Sequence, residues 1–197
     1  MSPRFVRLAV VFYSALLLLA ALLGALWNEN VFVLGGEPLR NLSIGVATAF
    51  GTVASGIILF CLMPALRNLS DELAPVLVDG SRRRDLVLVS AASGIGEEVL
   101  FRGALQPILG LVLASLLFGA MHIGRDRRYL IWTLWALGAG FLFGFLYIWT
   151  GGLLAPISAH VIHNAATLLL WRRSRRSVAE ERNNDSLTES VEAGRER

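Results

Sequence analysis

The chain has 197 residues, 55% of them hydrophobic and 17% charged, with a formal net charge of +3. A soluble domain carries about a quarter charged residues, so a mean hydropathy of +0.60 excludes that class, and so small a charge gives no reason to expect nucleic acid as a partner. Every basic residue is arginine, and the single cysteine, Cys61, offers neither an intramolecular disulfide nor a zinc-finger spacing.

A membrane-spanning helix needs about 20 mostly apolar residues. Residues 8–27 supply the first. They follow Arg4 and Arg7 as a signal peptide would, but the apolar core is too long and no small-x-small site precedes Asn28, so we read a retained span. Residues 42–66 form the second. Residues 86–121 fit either one span starting at Val99 or two shorter ones, 86–101 and 107–122, with a turn near 103–107. Residues 130–150 and 153–171 form a helical hairpin around Thr150-Gly151-Gly152.

Arginine placement decides between the two parses, because short cytoplasmic loops collect Lys and Arg. Six spans with a cytoplasmic N-terminus put Arg4, Arg7, Arg67, Arg82, Arg83, Arg84, Arg125, Arg127, Arg128, Arg172, Arg173, Arg175 and Arg176 on one side. Five spans scatter them. The expectation is an all-α, polytopic bundle of about six transmembrane helices in the plasma (inner) membrane, with both termini cytoplasmic. Its parts are a two-span accessory region (1–84), a core (85–171), and a basic then polar, disordered tail (172–197).

Ionisable groups inside spans are costly and mark function by default. Here they are Glu97, Glu98, Arg102, His122, His160 and His163, so every histidine of the chain lies in or at the end of a span that follows the glutamates. Glu98 and Arg102, four apart, share a helix face and can pair. Glu97 points about 100° away and stays available. His160 and Asn164 share a face, as do Phe118 and His122. The bland alternatives are a structural Glu98–Arg102 clasp and interhelical hydrogen-bonding glue at His160 and Asn164. For His163 a structural role is the stronger reading.

The pattern E-E-x-x-x-R (Glu97–Arg102), F-x-x-x-H (Phe118–His122) and H-x-x-x-N (His160–Asn164) resembles the CPBP family of intramembrane proteases, the CAAX proteases and bacteriocin-processing enzymes, over roughly residues 86–171. The resemblance implies an intramembrane endopeptidase acting on a membrane-associated protein or peptide. Glu97 and His122 would hold and activate the water, His160 and Asn164 would stabilise the oxyanion, and Glu98 and Arg102 would support them. Glu97, His122 and His160 have the donor types of a zinc (Zn2+) or other divalent-metal site. A metal-independent, glutamate-activated water fits the same residues, and both stay open. A polar cavity lined by Glu97, His122, His160 and Asn164 should open toward the cytoplasm or the inner leaflet. The rival classes are a non-catalytic immunity or scaffold membrane protein of the same family and a proton-coupled transporter, although the polar residues lie in one half of the chain only.

Overall fold

The computed structural model describes the backbone of residues 2–124 and 126–195, and the side chains of these except 128 and 178–195. Arg125, the side chain of Arg128 and the side chains of the polar tail beyond Ser177 therefore lie outside the described residues. The described secondary structure is helical. α1 (Pro3–Trp27) begins at Ser2, whose hydroxyl accepts from the Phe5 N–H with Pro3 in the first turn, and ends at Asn28 in the left-handed conformation. α2 (Pro38–Leu62) and the short α3 (Pro64–Leu77) follow. α3 buries one face, at Leu69, Ser70 and Ala74, and carries charge on the other. α4 (Arg83–Glu98) opens with the Asp85 carboxylate accepting from the Arg82 N–H. α6 (Leu130–Thr150) ends at Gly151, again left-handed, and α7 (Leu154–Arg195) completes the chain.

Between α4 and α5 (Gln106–Ala120) the helix widens into a π segment, Val99–Leu105, where the Gln106 N–H reaches back five residues to the Phe101 carbonyl. Such widened turns add a residue per turn and recur at functional sites. This one follows directly on the glutamate pair.

Among the described residues five helices are long and apolar enough to cross a membrane, the third being the 38-residue run Arg83–Ala120. That run is not straight. α7 passes α4 in the opposite direction, since Val161 meets Gly94 and Leu168 packs with Leu86. α6 is antiparallel to α7, with Phe143 and Leu146 against Ala155 and Ala159. α5 is in turn antiparallel to α6: Leu111 lies at Gly144, Ser115 at Gly140 and Leu137 at Gly119. The chain must therefore reverse within the third run, and it does so at Gly110 (φ 76°, ψ 168°), a conformation open essentially only to glycine.

The two expected shorter spans are thus joined in one helical stretch, and the turn lies at Gly110 rather than at 103–107. Gly103 has another task. It lets the Val31 carbonyl approach so closely that a Cβ would collide with it. Pro107 sits in the first turn of α5, where its missing N–H is no loss.

α1 runs alongside α4, with the Tyr13 carbonyl against Gly96 and Phe5 and Val6 beside Leu86. α2 runs alongside α7, with Gly45 against Ser158 and Ala155. At the end of the bundle remote from Arg83, the connection after α1 folds over the core. Val31 is buried, and the Val33 and Leu34 carbonyls accept from the N–H groups of Leu153 and Leu154. At the other end Leu86, Leu169 and Trp171 pack with Val78. The start of α1, the start of α4 and the basic stretch after Trp171 all lie there, while Arg40 stands over Trp149 at the opposite end.

Candidate active site

Glu98 is sealed in the centre of the bundle. Its side chain and that of Arg102 are fully buried, Arg102 Nε donates to Oε2 at 3.1 Å, and His160 Nδ1 meets Oε1 at 2.8 Å. A carboxylate offers only acceptors here, so His160 carries its hydrogen on Nδ1 and Nε2 is left without a protein partner. The Arg102 guanidinium makes this one bond; Nη1 and Nη2 are buried without a hydrogen bond, and the group lies 5.1 Å over the Phe118 ring. The same ring packs against Phe101 (5.1 Å), His122 (4.9 Å) and His160 (6.2 Å). The phenylalanine of F-x-x-x-H is therefore the common floor under the arginine and both histidines.

Glu97 is placed differently. It is half-buried, its Oε2 is buried with no hydrogen-bond partner, and it lies within electrostatic reach of both His160 and His122. His122, in the turn after α5, donates from Nδ1 to the Phe118 carbonyl at 2.8 Å, which again leaves Nε2 as the free nitrogen. The carbonyl of His122 accepts from Thr133 at 2.9 Å, tying this turn to α6. Asn164 donates to Ser93 Oγ at 3.0 Å, and Ser93 donates to the Ser90 carbonyl at 3.1 Å. One Asn164 amide hydrogen remains. His163 stands apart, held by Thr52 Oγ1 at 3.0 Å and stacked on Trp135 at 5.7 Å between ring centres.

The structure thus brings Glu97, Glu98, Arg102, His122 and His160 together around Phe118, and sets Asn164 one turn along α7. The zinc set is a different matter. Among the described residues no three His, Cys, Asp or Glu side chains converge as a metal-binding group, so Glu97, His122 and His160 as arranged do not fit a closed metal site. Two hollows among the described residues lie elsewhere. One, about 420 Å³, lies between α2 and α6 and is lined by Thr52 and Trp135; the other, about 340 Å³, lies between α3 and Arg127. Neither is lined by the four residues expected around a catalytic cavity.

Sequence reasoning missed Tyr13, an electrostatic neighbour of Glu97, Ser93, and Phe143, which stacks on His160 at 5.1 Å. Tyr13 could have been noticed as one of the few polar residues of the first span. Nothing in the sequence pairs it with a glutamate 84 positions later.

Residues 83–166 match the family model described as "Type II CAAX prenyl endopeptidase Rce1-like". Over this segment the chain is similar to the Rce1-like, CPBP family. Each motif residue, from Glu97 to Asn164, falls inside the match. Among curated proteins, the uncharacterized protein YpbD of Bacillus subtilis (strain 168) is 38% identical over 80 residues, 41% of this chain and 42% of that protein. The sporulation-killing factor biosynthesis protein SkfC of the same strain is 28% identical over 153 residues, 69% of this chain and 30% of SkfC. The matched region is thus less than half the length of either relative. No solved structure matches the chain. The long apolar helices and this similarity to a protease family point to an integral membrane protein and draw attention to the half-open carboxylate of the glutamate pair.

Proposed function

We propose that this chain is an intramembrane endopeptidase that hydrolyses a peptide bond of a membrane-anchored protein or peptide. The observation that carries the reading is the division of labour in the glutamate pair. Arg102 and His160 occupy Glu98, while Glu97 keeps a buried oxygen without a partner near two imidazoles whose Nε2 atoms are unengaged. Peptide hydrolysis needs a base for water, a proton donor for the leaving amine and donors for the oxyanion.

In this scheme a water sits between Glu97 and His122 Nε2, and Glu97 takes its proton as the oxygen attacks the scissile carbonyl carbon. The tetrahedral oxyanion accepts from the remaining amide hydrogen of Asn164 and from a protonated His160 at Nε2, the cationic ring being held by Glu98. Glu97 then passes the proton to the departing amine as the C–N bond breaks. Glutamate and histidine suffice for each proton transfer.

The arginine-rich end faces the cytoplasm in this reading, following the positive-inside rule. Glu97, 14 residues beyond Arg83, lies about 21 Å from that face at 1.5 Å per residue. A reporter fused after Gly151 should read external and one after Arg176 internal; the reverse at either site overturns the orientation.

The activity test uses purified chain in lipid vesicles with membrane-anchored peptides. Cleavage by wild type that vanishes in Glu97→Gln, at unchanged melting temperature, supports the reading. A folded wild type that cuts none of a broad peptide set, or a Glu97→Gln variant that cuts as well as wild type, overturns it in favour of a non-catalytic member of the family.

A further inference from the structure

Two side-chain bridges join α4 to α7 beside the glutamate pair. One is His160 Nδ1 to Glu98 Oε1 at 2.8 Å, and the other is Asn164 Nδ2 to Ser93 Oγ at 3.0 Å. Between them the helices touch, because Gly94 faces Val161 so closely that a Cβ there would collide with it. That approach lets two short side chains, a serine and an asparagine, meet across the interface. Ser93 is buried and stands four residues before Glu97, so the two share a face of α4. His160 and Asn164 are related in the same way on α7. The second bridge therefore sets the Asn164 amide against the face of α4 that carries Glu97.

The direction of that amide follows from the hydroxyl. Ser93 donates to the Ser90 carbonyl at 3.1 Å, and a hydroxyl has one hydrogen to give. Toward Asn164 it then acts as an acceptor, so the amide nitrogen faces it and the amide oxygen does not. A flipped amide would set two acceptors against each other. With one N–H spent on Ser93, the planarity of the amide fixes the direction of the second. An oxyanion donor works by being aimed in advance at the place where charge develops.

We infer that Ser93 is a positioning residue, orienting the Asn164 amide so that its second N–H serves the oxyanion. This rests on the proteolytic reading for its catalytic consequence, but the bridge itself does not. α4 then supplies both the base, at Glu97, and the anchor of the oxyanion donor one turn earlier.

The experiment compares wild type, Ser93→Ala, Ser93→Cys, Asn164→Ala and the double variant of Ser93→Ala with Asn164→Ala, all as full-length chains. Cysteine keeps the volume of the site should alanine unsettle the fold, and its thiol is only a weak hydrogen-bonding group. In chains carrying isotope-labelled asparagine, the Asn164 side-chain amide resonance is the one lost in Asn164→Ala. It should shift in both Ser93 variants. In the cleavage assay each should lower kcat about three- to tenfold with KM little changed, the scale of one neutral hydrogen bond felt in the transition state. In the Asn164→Ala background Ser93→Ala should lower kcat no further, because the serine acts through the amide. A serine that only holds the helices together would lower kcat by the same factor in both backgrounds, and that result overturns the inference. So does an unmoved resonance, or undiminished kcat in a folded Ser93 variant. A wild type that cleaves no peptide, although Ser93→Ala moves the resonance, defeats the proteolytic reading and removes the catalytic role of Ser93 with it.

Discussion

Removing the charge of Glu98 leaves two groups behind: a fully buried guanidinium with its only hydrogen-bond acceptor weakened, and His160 without its carboxylate. Losing one partner of a buried ion pair costs about 3–5 kcal/mol. Glu98→Gln should therefore melt well below wild type. Glu97 has no ion pair to lose, so Glu97→Gln should stay within about 1 kcal/mol of wild type, in the range of an ordinary substitution. Thermal melting in one detergent decides it, and equal melting of the two variants would end the division of roles. The helical phase of the sequence already separated these neighbours, because Arg102 is four residues from one and five from the other. It could not show that His160 also belongs to Glu98, since no spacing rule links residues on α4 and α7. Nor could it reveal Phe118 as the shared floor; that follows from α5 folding back onto the level of Arg102.

Among the helical elements the least replaceable residue is Gly110. Its φ of 76° with ψ of 168° costs an alanine about 1–3 kcal/mol, and relief by rotation would swing α5, and with it Phe118 and His122, away from Glu97. Gly110→Ala should lower both melting temperature and cleavage. Gly56→Ala, inside α2 with open space at its Cβ position, should be neutral or slightly stabilising. If both behave alike, the strain argument is wrong. Sequence periodicity could not place this reversal, because Gly103, Pro107 and Gly110 all read as turn residues and their tertiary contacts alone separate them.

The ends of the elements also carry a pH-dependent contact. Arg175 Nε and Nη2 grip Asp79 at 3.2 and 2.7 Å, joining the α3–α4 connection to α7. Hydrogen bonding from Arg175 holds the Asp79 carboxyl below its ordinary range. The resulting stability is present above the unfolded value of about 3.9 and is lost as pH falls through the lower folded value. Both groups are about two-fifths exposed, so the contribution is small and is reduced further by salt. Asp79→Asn should melt slightly below wild type at neutral pH and match it under strongly acidic conditions. A difference that grows on acidification would contradict this.

On the scale of the whole molecule, the family-matched segment packs closely against the two long helices that precede it. Composition and motifs suggested a core with two accessory spans in front, because sequence shows where chemistry lies and not which helix faces are left unfilled. In the folded chain α1 fills the face of α4 at Gly96, and Val31 seals Gly103. α2 meets α7 at Gly45 and at Thr52, and Asn41 donates to the Thr150 carbonyl at the closed end. Membrane helices associate through such small-residue contacts and hydrogen bonds, not through hydrophobicity, which lipid satisfies equally well. Residues 83–197 expressed alone should therefore insert but fail to pack, leaving Gly96 and Gly103 uncovered and His163 without Thr52. The expected signature is rapid proteolysis and no cooperative melting. Supplying residues 1–82 as a second chain should restore both, since preformed spans can assemble without a covalent link. A fragment 83–197 that melts cooperatively by itself, near the temperature of the full chain, would show that α1 and α2 are accessory after all.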